Sequence, residues 1–289
     1  MHVLVLGGTG SIGAAIVDEL IKRQCEVSAL SRSPISTEQL LAVGATPIQG
    51  DIRYPEKWID CLECVDAVIH AAATWDDDMD TVDQNLVAAL LKGLRTPDSS
   101  KTLIYTAGCW LYGQTGDVIA TERTSLSPAP GFLRSISTLN QVLADTHVKG
   151  MVIHPAMVYE HRGGVFQRMY DDIENHGHIR VYGSLDVRWP LIHTLDLAQV
   201  YALMLLKGKA GDVYNASSMD GVRVGDIANA ISSSAGNGCK CIVYDVKHAK
   251  RDFGDWAEGY AIDQNMSAEK ARVELGWQPA HSDVFEDIC

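Results

Sequence analysis

The sequence predicts an α/β fold, a doubly wound parallel sheet followed by a smaller C-terminal lobe. Three observations predict it. Short β-branched apolar runs alternate with longer amphipathic stretches over the first two-thirds of the 289 residues, the pattern of strands joined by crossover helices. The runs are apolar throughout, as strands covered on both faces must be. After Tyr159 the alternation gives way to loops and isolated elements, so a second, less regular part closes the chain.

In order, the strands are expected at 2–6, 26–31, 45–49, 67–70, 102–106 and 151–154. The first helix spans 11–24, because Ile12, Ala15, Ile16, Leu20 and Ile21 recur at helical spacing. The intervals 38–43, 55–62, 82–94 and 133–148 are each long enough for a crossover helix. Beyond Tyr159 we expect a loop over 161–164, a helix over 165–176 and an irregular or extended segment over 179–188. A helix over 195–206 leads to a strand at 212–215, followed by a helix over 225–233. A last helix, 266–275, is stopped by Gly276 and Pro279.

Composition narrows the partners. Hydrophobic residues make up 46% and charged residues 21%, the formal charge is −13 and the pI about 5.1. Such an acidic chain repels phosphate backbones and anionic headgroups, so neither a nucleic-acid nor a membrane partner is expected. No apolar run approaches the roughly 18 residues of a membrane span. With Met1 leading directly into a strand, no signal peptide is read, and the expected compartment is the cytoplasm. Seven cysteines, an odd number, include the close pairs Cys61/Cys64 and Cys239/Cys241, but neither has a second matching Cys or His pair at zinc spacing, so reduced thiols and no metal are expected. The histidines His154, His161, His176, His178 and His193 fit no zinc spacing either.

Chemistry enters at the start of the chain. Gly7, Gly10 and Gly13 form G-x-x-G-x-x-G between an apolar strand and an amphipathic helix. Glycine permits a tight turn and close approach to a pyrophosphate, which the free amides of the helix N-terminus then face. This arrangement predicts a Rossmann-type fold binding a nicotinamide dinucleotide through Gly7, Gly8, Thr9, Gly10, Ser11, Ile12 and Gly13. After the second strand, Ser31-Arg32-Ser33 offers a guanidinium between two hydroxyls where an NAD enzyme carries an acid. That predicts NADP, with NAD as the alternative. The expected division is an NADP-binding domain over 1–159, completed by about 195–216, and a substrate-binding lobe over 160–194 and 217–289.

These motifs resemble the extended and atypical branch of the short-chain dehydrogenase/reductase superfamily, the NAD(P)-dependent epimerase/dehydratases. Gly50-Asp51-Ile52 resembles the motif holding adenine, and His70-Ala71-Ala72-Ala73 the small-residue strand end behind the adenosine ribose. The stretch 105–113, Tyr-Thr-Ala-Gly-Cys-Trp-Leu-Tyr-Gly, resembles the strand with the active-site serine. His154-Pro155-Ala156-Met157-Val158-Tyr159 resembles R-P-x-x-V-Y-G, whose proline touches nicotinamide. Arg188 through Asp196 resembles a substrate-side motif, and Leu275-Gly-Trp-Gln-Pro279 the C-terminal signature. The resemblance implies cofactor roles for Asp51, Ile52, Ala71, Ala72, Ala73, Thr106, Pro155 and Val158. It also implies a small-molecule substrate and a homodimer through two Rossmann-domain helices, which the residues themselves do not show.

The catalytic motif departs from the family. There is no tyrosine between Tyr112 and Tyr159 and no lysine between Lys101 and Lys149. Aligning Ser137 puts Arg134 at the tyrosine of Tyr-x-x-x-Lys and Thr138 at the lysine, and counting back from Gly113 puts Gly108 at the serine. Proton exchange through a phenol of lowered pKa is therefore unavailable in its usual form. Thr106, Arg134 and Tyr159 are taken as catalytic candidates, and Cys109, Trp110, Arg188, Trp189 and His193 as substrate-side residues. For each there is a plainer reading: packing for the aromatics and Cys109, a core histidine for His193, an ion pair for Arg188. The expected activity is an NADPH-dependent reductase on a carbonyl or hydroxyl, ahead of epimerisation or dehydration. The alternative is a non-redox member of the fold, an isomerase, cyclase or lyase retaining nicotinamide or a dinucleotide-sensing protein.

Overall fold

The apolar runs become the strands of one sheet. The computed structural model describes residues 1–76, 78–96, 100–236 and 238–288. In chain order come β1 (His2–Leu6), α1 (Ser11–Lys22), β2 (Glu26–Ser31), α2 (Pro34–Val43), β3 (Thr46–Gln49), β4 (Ala67–His70), α3 (Met79–Leu94) and β5 (Thr102–Thr106). A short β6 (Ile119–Ala120) precedes α4 (Leu133–Ala144), β7 (Lys149–Pro155), β8 (Met157–Glu160), β9 (Gly163–Gly164), α5 (Gln167–His176), β10 (His178–Tyr182) and β11 (Arg188–His193). The chain continues through α6 (Thr194–Lys207), β12 (Val213–Ala216), β13 (Met219–Arg223) and α7 (Val224–Ser234). It then forms β14 (Lys240–Tyr244), α8 (Val246–Phe253), β15 (Asn265–Met266) and α9 (Val284–Ile288).

Seven strands form the main sheet in the order β3-β2-β1-β4-β5-β7-β12. The pairs β1–β2, β1–β4, β2–β3, β4–β5 and β5–β7 are all parallel. This is the Rossmann arrangement, with its switch point where β1 leaves β2 on one side and β4 on the other. Val3, Leu4, Val5 and Leu6 are fully buried, as are Val68, Ile69, Leu103 and Ile104 in the neighbouring strands. Burial on both faces explains why no polar residue interrupts them.

The chain divides into two units. The first comprises Met1–Ala107, Arg134–His154 and Leu197–Tyr214; the second comprises Gly108–Leu133, Pro155–Asp196 and Asn215–Cys289. Residues 108–133 thus group with the second unit, whereas the sequence reading carried the first domain straight through to 159. Within the second unit, β13-β11-β8-β9 make a mixed sheet, β10 pairs parallel with β14, and β15 pairs parallel with β6.

Two elements differ from expectation for local reasons. The second helix begins at Pro34, because Ser33 caps it reciprocally with Ser36 and Pro34 suits the first turn. The expected helix over 266–275 starts later: Asn265–Met266 form a strand, and helical backbone runs from Glu269 into the π-helical turn Ala271–Leu275. Met266 pairs with Ala120 in β6, a partner far away in sequence. Among the described residues no helix is long and apolar enough to cross a membrane.

One polar network lies inside the first unit. Asp83 on α3 accepts from His70 Nε2 at 2.9 Å and from the Tyr105 hydroxyl at 2.8 Å. The Ala72 amide reaches His70 Nδ1 at 3.4 Å, which leaves the ring hydrogen on Nε2 for Asp83. Asp83→Ala would strand two buried donors, and each costs about 1–3 kcal/mol when unsatisfied. We expect a loss of stability of that size per donor in urea unfolding, and Asp83→Ala at wild-type stability would show that the network carries no load.

Candidate functional site

In the first unit the glycine loop turns at Gly7, whose φ of +86° belongs to the left-handed region. A Cβ on Gly13 would stand 2.0 Å from the Gly7 carbonyl oxygen, so α1 packs on the turn with no room for a side chain. Gly7 itself backs onto the Ala71 carbonyl, with a Cβ distance of 2.6 Å. The loop and the Ala71–Ala72–Ala73 strand end are therefore adjacent. Gly10 is different: beside a Cβ there, the Gly7 oxygen at 3.4 Å is the sole described neighbour. Gly10 is the N-cap of α1, no side chain caps that helix, and its first turn holds no acid. Exposed Thr9, Gly10 and Ser11 thus border an open, amide-rich helix start whose dipole favours an anion. These features fit the pyrophosphate of a dinucleotide.

The end of β2 does not fit a 2′-phosphate. The Ser31 hydroxyl is buried and bonds Ser36 at 2.7 Å and Thr37 at 2.9 Å. Ser33 caps α2. Both hydroxyls are committed within the fold. Arg32 is two-thirds exposed, and its guanidinium lies 4.0 Å from the Asp51 carboxylate. Ile52 is buried beside it in the chain.

The catalytic candidates of the first unit are Thr106 and Arg134. The Thr106 hydroxyl is held by Tyr201 at 2.7 Å. Arg134 is exposed at the start of α4, one helical turn from Thr138. Thr138 is 1% exposed, and its hydroxyl lacks a hydrogen-bond partner among the described residues. Sequence reasoning missed Asp80 on α3. Burial pushes its carboxyl above the usual range while the nearby Arg134 charge pulls it down. Asp80 and Asp83 lie three apart at the head of α3, an i, i+3 spacing that puts both on one face and is the signal that was available.

The second unit holds the remaining candidates. Tyr159 is fully buried and donates to Asp287 at 2.7 Å, and burial followed by the Asp287 charge pushes its phenol far above the usual range. Its burial and its bond to Asp287 are those of the plainer, packing reading. Burial likewise pushes the Cys109 thiol up to about 12, which leaves no thiolate to act as a nucleophile. Arg188 donates to Asp263 at 2.7 and 2.9 Å and to Asp117 at 2.9 Å, the ion pairs of the plainer reading. Trp189 is buried and donates to the Tyr260 carbonyl at 3.0 Å. Trp110 is half-buried against Phe132, Trp256 and Tyr260. Pro155 is buried at the end of β7, and Val158 is half-buried in β8.

His193 stacks on His281 with ring centres 3.8 Å apart and accepts the Leu195 amide on Nδ1 at 3.3 Å. His281 in turn contacts Asp287 at 2.8 Å. Burial pushes the Asp287 carboxyl up, but the hydrogen bonds from Tyr159 and His281 hold it below the usual range.

The sequence matches a known family across most of its length. A model of the NAD-dependent epimerase/dehydratase family covers residues 3–217. The chain belongs to that family. It is 28% identical to the uncharacterized protein YLL056C of Saccharomyces cerevisiae, over all of this chain and 98% of the relative. It is similar in fold to the UDP-glucuronic acid 4-epimerase from Bacillus cereus in complex with UDP-glucuronic acid and NAD. The TM-score is 0.81 at 16% identity, covering 100% and 96% of the two chains. The dTDP-glucose 4,6-dehydratase from Streptomyces venezuelae with NAD bound gives 0.82 at 19% identity, with the same coverage, 100% and 96%. This membership makes the chain an epimerase/dehydratase-like enzyme of the NAD(P)-dependent class.

Two expectations are corrected. The preference for a reductase is overturned, because the family match and the similar structures are of epimerases and dehydratases. NADP is overturned because the family is NAD-dependent and both solved structures hold NAD. The physical reason lies at β2: two committed hydroxyls and a carboxylate beside Arg32 leave a second phosphate without a cradle.

Burial and the neighbouring His281 lower the His193 pKa from 6.5. The folded ring therefore stays neutral at a pH where the unfolded ring has taken its proton, so stability falls as pH drops below 6.5. Thermal unfolding of the wild type should move down between pH 6.5 and about 5, and His193→Gln should flatten part of that slope. An unchanged slope in His193→Gln would remove His193 as its source.

Proposed function

We propose that this chain is an NAD-retaining enzyme of the epimerase/dehydratase class, which leaves its cofactor in the starting redox state after each turnover. The observation that carries the reading is the glycine loop, where the Gly13–Gly7 approach leaves an uncapped helix start beside an open Gly10. Asp51, Ile52 and Ala71–Ala73 are assigned to the adenosine half. When bound, the cofactor supplies reversible hydride transfer at a carbon bearing a hydroxyl or carbonyl.

The proton must move by another route than the family's phenol. We assign Thr106, fixed by Tyr201, to a hydrogen bond with the substrate oxygen. Arg134 supplies positive charge against developing negative charge on that oxygen; its own proton is too firmly held to be transferred. Asp80, with its raised carboxyl beside Arg134, is the group suited to take and return the proton. The second unit is assigned to the small-molecule substrate.

Calorimetric titration should show NAD binding more tightly than NADP. Gly10→Val should lose NAD while keeping a native circular dichroism spectrum, since its side chain enters open space. NAD binding retained in Gly10→Val would remove the loop from the cofactor site. Once a substrate is in hand, Arg134→Met should lower turnover by about 10²–10³ with NAD affinity unchanged. Product should accumulate with the reduced-nicotinamide absorbance constant. Cofactor reduced in step with product would overturn the retaining mechanism.

A further inference from the structure

The close pair Cys61/Cys64 lies in the first unit, on a 3-10 helix over Ile59–Cys64 just ahead of β4. Such a helix turns once every three residues, so side chains three apart stand above one another. Its six residues therefore make three faces. Ile59 and Leu62 form the inner one and pack on α3, where a Cβ on Gly93 would meet Leu62 at 2.8 Å and Ile59 at 3.2 Å. Asp60 and Glu63 form an exposed acidic face. Cys61, half-buried, and Cys64, exposed, form the third, and both are free thiols.

The backbone between the two thiols is pinned. The Lys101 ammonium, 9% exposed, donates to the Leu62 carbonyl at 2.5 Å and to the Glu63 carbonyl at 2.8 Å. The His2 ring contacts the Cys64 carbonyl at 2.9 Å. A rise of about 2 Å per residue sets the two Cα atoms about 6 Å apart, inside the span of about 4.4–6.8 Å that a disulfide bridges. The thiols of the other close pair are engaged on α7. Cys239 Sγ donates to the Ser232 hydroxyl at 3.3 Å, and Cys241 Sγ to the Asn229 side-chain oxygen at 3.7 Å.

Burial, and after it the charges of Cys64 and Asp60, push the Cys61 thiol above its usual range. Exposed Cys64 is therefore the attacking sulfur and Cys61 the resolving one. Charge selects the reagent. Residues 55–66 carry Glu56, Asp60, Glu63 and Asp66 against Lys57, so a cationic reagent is drawn in and an anionic one repelled.

We propose that Cys61 and Cys64 are a dithiol redox site, oxidised to an intramolecular disulfide by small cationic disulfides. The Cys64 thiolate attacks one sulfur of the reagent and breaks its S–S bond. A mixed disulfide forms, and the departing thiolate takes up the proton that Cys64 lost. The Cys61 thiolate then displaces the second thiolate, which takes the proton from Cys61. The protein gives up two electrons and two protons, and the reagent leaves as two thiols.

Cystamine tests the site on the whole reduced protein, with glutathione disulfide as the anionic counterpart. After treatment, alkylation of the remaining thiols and trypsin digestion, peptide 58–92 contains both cysteines. In the wild type it should be unlabelled and two hydrogens lighter. Cys61→Ser should instead keep a cysteamine adduct on Cys64, because no resolving thiol follows. Cystamine should react about tenfold faster than glutathione disulfide at low ionic strength, a ratio that should fall several-fold in about 1 M salt. A lasting cysteamine adduct on wild-type peptide 58–92 overturns the proposal. So does a peptide that stays fully alkylated while Cys239 and Cys241 are oxidised, or while no cysteine is. A preference for cystamine that salt does not change overturns the choice of a cationic reagent.

Discussion

The close approach of Gly13 to the Gly7 carbonyl is the constraint on which the rest of the first unit depends. It lets α1 start directly above β1, with its first amides uncovered, and it seats Gly7 against the Ala71 carbonyl at the end of β4. Two neighbouring strands and one helix are thereby locked at the sheet's switch point, where an open α/β sheet takes its ligand. A methyl group at Gly13 would push the helix off the turn, because the obstructing atom is backbone and cannot swing aside. Asp83 fastens the next layer by holding the His70 ring and the Tyr105 hydroxyl together, which ties α3 to β4 and β5.

The second unit is governed by charge. Its carboxylates outnumber its cations, and the guanidiniums of Arg168, Arg180 and Arg188 are all engaged by them.

The loss of tyrosine, lysine and serine from the family motif is coherent with this picture. Thr138 carries no charge to lower a phenol's pKa, and the tyrosines on either side of the motif are committed: Tyr159 donates to Asp287, and Tyr112 donates to Asn215. Burial raises both far above neutrality. The acid–base group proposed is Asp80, a carboxyl that burial raises close to the Arg134 charge.

The sequence by itself determined the strands of the main sheet, their parallel arrangement and the glycine loop. Each is written in local signals: uninterrupted apolar runs, helical periodicity, and glycines where a side chain would collide. It also determined that the usual catalytic groups are absent. Only the tertiary structure decided what the remaining side chains do. Ser31 and Ser33 look like phosphate ligands in the sequence, yet their hydroxyls close the cap of α2. Arg188 looks like an anion clamp until Asp263, 75 residues away, is seen to occupy it. Met266 reads as the start of a helix because its strand partner, Ala120 in β6, lies far back in the chain. Pairings between distant residues leave no periodicity and no fixed spacing, and it is such pairings that determine which polar groups are free to meet a ligand.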